Sequence, residues 1–401
     1  MISVQEATHT ILESLPTLST ETCPLAEAHH RTLHQTVTAD RDLPPYDRIM
    51  MDGIALHSSA CPTSPDTKLT LKIVGHQPAG AHPQTLPNPQ SCIEVATGAA
   101  LPHGADTIIP VEEISTTETH ATISPNTQIT PGKYIHKQAS DHPQGTNLLH
   151  PGTYLSAKEI AVAASAGYTK LQVATLPKVA LISTGDELVP IEETPLPHQI
   201  RQSNAHTLAA ALKSTNLGHP HIFHLPDEPE KLRREIQTLL PEHDLLIFSG
   251  GVSKGKKDYL PQIFHELHVE EKLHWVAQRP GKPLWYGTSP TNQPLFALPG
   301  NPLSTLTCFH RYILPALEKM AGRMSRPPLQ IPLEGNFSFP PPLTCFLPVE
   351  LIHTPEGTKA KPSPANNSGD YSGILGTSGF IEIPQHESEA QAGTAYPFYP
   401  W

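Results

Sequence analysis

The spacing of apolar positions changes character several times along the chain. Near the start, Val4, Ala7, Ile11, Leu12 and Leu15 recur at helical spacing behind Ser3-x-x-Glu6, a capping box. An amphipathic helix is expected there. Residues 25–33 read as a second, short helical piece, and Leu43-Pro44-Pro45-Tyr46-Asp47 as a stiff extended link. From about Lys68 to His136 the pattern turns β-like. Short strands are expected at 69–74, 93–96, 107–111 and 121–123, separated by turn residues. Ser156-x-x-Glu159 opens another capped helix that stops near Gly167. That helix is expected to pack on the first one, with the β-rich stretch inserted between the two flanks.

From Lys178 the pattern alternates. Strand-like runs at 179–183, 221–224, 245–248 and 295–298 are interleaved with helical stretches at 204–213, 230–240 and 259–267. The last run feeds a helix from Pro302 to about Met320, with Asn301 as its cap and Pro302 in its first turn. This is the signature of a parallel α/β domain. After Arg326-Pro327-Pro328 the chain is proline-rich and β-like, with a polar turn at 366–372. The aromatic tail, Tyr396 to Trp401, is expected to be a loose end.

The expected fold class is therefore α/β plus β, in several domains. A helical linker domain spans 1–45 and 140–174, an inserted β-domain 46–139, a three-layer parallel α/β domain 175–325, and a C-terminal β-domain 326–401. A chain of 401 residues is long enough for such a division, and its 45 prolines favour short elements with rigid connections. The net charge of −11 argues against a nucleic-acid or anionic-membrane partner, so an anionic ligand would need a local basic pocket. Five scattered cysteines without a C-x-x-C spacing read as reduced structural thiols of a cytoplasmic protein. Most of the 24 histidines are expected at the surface. The first residues lack the basic and apolar regions of a signal peptide, and no apolar run approaches a membrane span.

Candidate chemistry gathers at the ends of the strand-like runs. In an open parallel sheet, ligands bind outside the carboxyl ends of the strands. Four loops fall there: Ser183-Thr184-Gly185-Asp186-Glu187, Leu225-Pro226-Asp227-Glu228, Ser249 to Asp258, and Pro299-Gly300-Asn301-Pro302. The third reads Ser249-Gly250-Gly251-Val252-Ser253-Lys254-Gly255-Lys256-Lys257-Asp258. Glycines and small hydroxyls at a strand end can bring backbone N–H groups to a phosphate or another oxyanion. A fifth piece, Arg279-Pro280-Gly281-Lys282-Pro283, holds two cations on a stiff backbone, Arg279 for bidentate and Lys282 for point-charge contact. Asp186, Glu187, Asp227 and Asp258 could hold Mg²⁺ through oxygen and water. The chain has no Walker sequence, dinucleotide fingerprint or nucleophile elbow at these loops. The residues by themselves lead to Mg²⁺-assisted chemistry on a phosphorylated anion.

Six stretches resemble the molybdopterin molybdenumtransferase family of molybdenum-cofactor biosynthesis, which is itself similar to the E-domain of gephyrin. They are Met51-Asp52-Gly53, Thr97-Gly98-Ala99, residues 183–188, residues 249–253, Pro280-Gly281-Lys282-Pro283 and residues 298–302, and their order and spacing match across nearly the whole chain. The resemblance implies an elongated homodimer of four-domain chains. It implies a reaction in which adenylylated molybdopterin and molybdate give molybdenum cofactor with release of AMP, assisted by Mg²⁺. The site would lie between the α/β domain of one subunit and the β-domain of its partner, to which Asp52 and Thr97 would belong.

Carried over by motif, the catalytic set is Asp52, Thr97, Glu187, Asp227, Asp258 and Lys282, and the metal set is Asp186, Glu187, Asp227 and Asp258. The ligand-binding set is Ser183, Thr184, Gly185, Ser249, Gly250, Gly251, Ser253, Arg279, Pro299, Gly300, Asn301, Pro302 and Ser368. Lys254, Lys256 and Lys257 would be a solvated rim. Two departures stand out: Arg48-Ile49 replaces the usual Asn-Ser before Met-Asp-Gly, and Asp141 ends a segment that lacks the usual glycine and neighbouring acid. Implied partners are the molybdopterin adenylyltransferase and enzymes that receive the cofactor. Alternative readings are the adenylyltransferase itself, a tungsten-inserting paralogue, and a gephyrin-like scaffold without chemistry.

Overall fold

A computed structural model describes residues 1–60, 68–252, 258–339, 342–365, 367 and 369–401. The chain forms two compact units. One comprises Met1–Gln35, Pro151–Ile160 and Thr169–Trp401, and the other Thr36–His150 and Ala161–Tyr168.

The larger unit is built on a six-stranded sheet. Four strands, His219–Leu225, Lys178–Thr184, Leu245–Ser249 and Pro294–Leu298, lie parallel in that spatial order. Two strands not foreseen from the sequence, Trp285–Thr288 and Glu270–His274, extend it antiparallel. The two central strands, Leu245–Ser249 and Pro294–Leu298, are buried at every position, as expected of a sheet covered on both faces.

The first helix, Val4–Glu13, has the expected capping box, with Ser3 and Glu6 bonding reciprocally. Its apolar face does not form a separate helical core with the second helix. Val4, Ala7 and Ile11 pack with Leu181, Ile247, Tyr286 and Leu317 in the core of the α/β sheet. A hydrogen bond of 2.7 Å between the Ser14 and Tyr286 hydroxyls adds to this docking. The helical piece expected at 25–33 is only a 3₁₀ turn, Leu25–Glu27. The flanks meet instead as an antiparallel ladder of Thr20–Pro24 with Lys170–Ala174.

The long helix after Pro302 is interrupted. Pro302–Cys308 and Leu314–Met320 are α-helical, and Phe309–Ile313 between them is a π turn. Pro315 has no N–H for the carbonyl one turn back, and widening the preceding turn accommodates that loss. The C-terminal region forms a second sheet, ordered Gln278–Arg279, Thr344–Thr354, Gly379–Ile383, Ala395–Pro400, Leu329–Pro332. The aromatic tail is therefore an interior strand, contrary to the loose end expected. Tyr396 and Phe398 are buried, and the Trp401 indole N–H donates to Thr377 Oγ1 at 2.8 Å. Alternating aromatics at a strand period supply the burial that holds it.

The smaller unit is a six-stranded, mostly antiparallel sheet, ordered Thr107–Pro110, Gly53–Leu56, Ser91–Val95, Leu69–Gln77, His120–Ile123, Ile114–Thr116. Both faces carry a core, one around Ile54, Leu56 and Ile109, the other around Ala55, Ile93 and Ile108. Cys23, Cys92, Cys308 and Cys345 are buried free thiols. No helix among the described residues is long and apolar enough to cross a membrane.

Candidate active site

The parallel strands end at Thr184, Leu225, Ser249 and Leu298, all on one edge of the sheet. Their loops enclose a pocket of about 410 Å³ lined by Ser183, Thr184, Gly185, Glu187, Asp227, Ser249, Gly250, Gly251, Asp258, Gly300, Asn301 and Pro302. A second pocket of about 550 Å³ shares Gly250, Gly251, Asp258, Gly300 and Asn301 with the first and adds Arg279, Lys282 and Pro299. The predicted loops thus converge on two connected lobes, one lined by Glu187, Asp227 and Arg201, the other by Arg279 and Lys282.

Two glycines are required by space. A side chain at Gly250, where φ is +102°, would stand 2.7 Å from the Thr184 carbonyl oxygen. One at Gly281, where φ is +91°, would stand 2.5 Å from Cys308 Sγ and 2.7 Å from Gln278 Nε2. The Gly250 N–H donates to the Leu298 carbonyl at 3.0 Å, continuing the bonding of the sheet into the loop. The Ser183 and Ser249 hydroxyls, paired across adjacent strands, bond each other at 3.2 Å. The Thr184 hydroxyl is buried and has no hydrogen-bond partner among the described residues.

The acids sit differently from one another. Glu187 is exposed, and Asp227 and Asp258 are half-buried at the pocket wall. Asp186 is set back from the lining, where its carboxylate accepts the Asp227 N–H at 3.1 Å. Among the described residues, no three His, Cys, Asp or Glu side chains are gathered into a metal-binding group.

The cation-bearing loop rests on a buried floor. Gln278, with no solvent exposure, donates through Nε2 to the Gly281 carbonyl at 3.1 Å and accepts the Tyr312 hydroxyl. Burial pushes the Tyr312 phenol well above its ordinary range, which keeps it a donor. Val276 N–H closes on the Lys282 carbonyl at 2.9 Å. On its other side, Gln278–Arg279 pairs in parallel with Thr344–Cys345.

Several site residues escaped sequence reasoning. Gln202, Ser203 and Asn204 line the acid-bearing lobe. Asn204 Nδ2 donates to the Gly300 carbonyl at 2.8 Å, and its Oδ1 accepts the Tyr371 hydroxyl at 2.8 Å. Asn204 therefore joins the fourth loop to the polar C-terminal turn. That turn brings Gly369 to the first lobe and Asn367 to the second. The available signal was the polar run Gln202-Ser203-Asn204 opening a helix directly after the acid-rich loop. Ser253, Ser368 and the three lysines of the third loop lie outside the described residues.

Asp52 and Thr97 belong to the smaller unit, where the Asp52 carboxylate accepts both the Thr97 N–H (2.6 Å) and its hydroxyl (2.7 Å). These two bonds hold its carboxyl below the usual aspartate range, the backbone bond contributing most. The two departures noted in the sequence touch each other. Arg48 lies opposite His136 in a short antiparallel pair. Its guanidinium donates to His136 Nδ1 at 3.0 Å, and His136 Nε2 faces Asp141 Oδ1 at 2.8 Å. Because arginine can only donate, Nδ1 is the acceptor and Nε2 carries the hydrogen.

Comparison with known proteins fits this geometry. The chain is 39% identical to a molybdopterin molybdenumtransferase of Synechocystis over the full length of both, and 31% identical to one of Staphylococcus epidermidis over 98% of this chain and 94% of that one. The chain belongs to the molybdopterin molybdenumtransferase family. Residues 2–167 match the MoeA N-terminal region (domain I and II), 180–319 a probable molybdopterin binding domain, and 330–401 the MoeA C-terminal region (domain IV). A solved MoeA protein of molybdopterin biosynthesis from Pyrococcus horikoshii superposes with a TM-score of 0.80 at 28% identity, covering 100% of this chain and 99% of that one. Another from the same organism superposes at 0.86 with 23% identity, a likeness of fold. Both lobes described above are formed largely within the segment that matches the molybdopterin binding domain.

Proposed function

We propose that this molybdenumtransferase-family protein inserts molybdate into adenylylated molybdopterin and releases AMP. The observation that carries the reading is the pair of connected lobes, with glycines at their centre, Arg279 and Lys282 on one side and Glu187, Asp227 and Asp258 around them. The pyrophosphate and molybdate are hard anions suited to the two cations. Cleaving the phosphoanhydride adds charge to the departing phosphate, and Lys282 and Arg279 offset it from a preset position. The dithiolene of the substrate supplies sulfur to molybdenum, so no cysteine of the chain needs to act.

The oxygen donors of the acid-bearing lobe fit Mg²⁺, which commonly takes one or two carboxylates plus substrate phosphates rather than a closed protein cage. Asp186, Glu187, Asp227 and Asp258 are the candidates to hold it, and when bound it would neutralise phosphate charge. Asp52 and Thr97 complete the site from a second copy of the chain in a cytoplasmic homodimer. The helical linker, inserted β, α/β and C-terminal β division at residues 46, 140, 175 and 326 is part of this reading. Upstream and downstream partners are an adenylyltransferase and cofactor-accepting enzymes.

The test is AMP release from adenylylated molybdopterin, with molybdate or tungstate added. Molybdate-dependent release that falls sharply in Lys282→Ala supports the reading, and AMP release independent of either oxyanion refutes it.

A further inference from the structure

The polar turn of the C-terminal region reaches both lobes, through Gly369 in the first and Asn367 in the second. It is braced within itself. The Gly369 N–H donates to Asn367 Oδ1 at 2.8 Å, and Asp370 Oδ1 accepts the Ser372 hydroxyl at 2.6 Å and the Gly373 N–H at 3.0 Å. The Tyr371 phenol links the turn to the α/β domain. Its hydroxyl donates to Asn204 Oδ1 at 2.8 Å and lies 3.0 Å from Thr207 Oγ1. The phenol has one hydrogen, so in the second contact it accepts from Thr207. Asn204 and Thr207 stand three positions apart at the start of the helix Asn204–Thr215, which puts both on one face. Burial pushes the Tyr371 phenol above its ordinary range, so it stays protonated at neutral pH. Through Asn204 Nδ2 the link extends to the Gly300 carbonyl, in the loop shared by both lobes.

We propose that Tyr371 is a positioning residue, whose hydroxyl holds the C-terminal turn as a preset wall of both lobes. The proposal deepens the transferase reading and rests on it for the identity of the ligand. A turn pinned in advance need not be ordered when substrate arrives, whereas a loose one is ordered at the expense of affinity. Tyr371 itself lines neither lobe, so losing its hydroxyl should weaken binding and spare the chemical step. Thr207 likewise lines neither lobe and touches the phenol, which makes it a second, remote handle on the same link.

The test combines hydrogen–deuterium exchange at the turn with steady-state AMP release, both on the full chain. Tyr371→Phe keeps the ring and removes the bonds of the hydroxyl. It should speed exchange across residues 369–375, raise KM for adenylylated molybdopterin about tenfold, and leave kcat within about twofold. Thr207→Val should act in the same direction to a smaller extent, and adding it to Tyr371→Phe should bring no further change. A phenol with a merely structural role would lower the urea midpoint and leave both exchange at the turn and KM as they were, which overturns the proposal. A fall in kcat at unchanged KM overturns it too. The two readings fail separately. If the unmodified protein releases no AMP, the transferase reading falls, while faster exchange in Tyr371→Phe still upholds the tether and unchanged exchange still removes it.

Discussion

Replacing Gln278 by methionine tests whether the cation-bearing loop is held from below. The change keeps the length of the side chain and removes its bonds to the Gly281 carbonyl, the Tyr312 hydroxyl and Cys308 Sγ. Gln278 is fully buried and Tyr312 is 2% exposed, so water cannot replace either partner. Leaving the Tyr312 hydroxyl unpaired costs roughly 1–3 kcal/mol, and losing the bond to the Gly281 carbonyl about 1 kcal/mol more. Gln278→Met should therefore lose roughly 2–4 kcal/mol in urea unfolding. Tyr312→Phe in the same background removes the orphaned donor and should recover part of the loss, giving a coupling energy of at least about 1 kcal/mol in the double-mutant cycle. Arg279 and Lys282 flank the affected glycine, so KM for molybdate should rise more than kcat falls. Strict additivity of the two substitutions, with KM unchanged, would refute the idea that this buried pair positions the loop.

Other expectations follow from particular residues. Mixing inactive Asp52→Ala and Asp258→Ala chains, then unfolding and refolding them together, should restore about a quarter of normal activity if the site is shared across a two-fold dimer; each variant refolded alone is the control. Thr97→Ala should raise the Asp52 pKa, read by carbon-detected NMR titration, because it removes one of the two bonds that depress it. In the parent protein this contribution to stability is complete above the ordinary aspartate range and is lost as pH falls through the depressed value. Burial depresses His310 to about 4. Its neutral form is favoured by folding, so stability is complete above about pH 6.5 and declines toward pH 4, by an amount on the order of 3 kcal/mol. His310→Phe should flatten that slope in urea titrations run across the window.

The sheet edge and its loops were legible because three of the four parallel strands are short apolar runs that end in small hydroxyls or run into Pro299-Gly300. Glu270–His274 and Trp285–Thr288 were not, since neither is a continuous apolar run. Trp285 packs in one hydrophobic core and its neighbour Tyr286 in the other, an alternation that only the sheet explains. The family motifs marked Arg279 and Lys282 but not Gln278, whose role depends on a tyrosine 34 positions away. Nor could spacing show that the Gly250 amide donates to Leu298, because that bond arises from strand pairing. The tail was misjudged for the same reason: its aromatics look superfluous until strands from distant parts of the chain form on both sides.

The docking of the first helix has a consequence for biogenesis. Thr8 is bonded by Arg311, 303 residues further along. At translation rates of 5–20 residues per second, the helix would wait roughly 15–60 s for its partner to be synthesised. During that time Val4, Ala7 and Ile11 form an uncovered greasy stripe on the nascent chain. The smaller unit, encoded in between, can close its own sheet meanwhile. Protecting the opening helix until the α/β region emerges is thus a natural task for a chaperone at the ribosome exit.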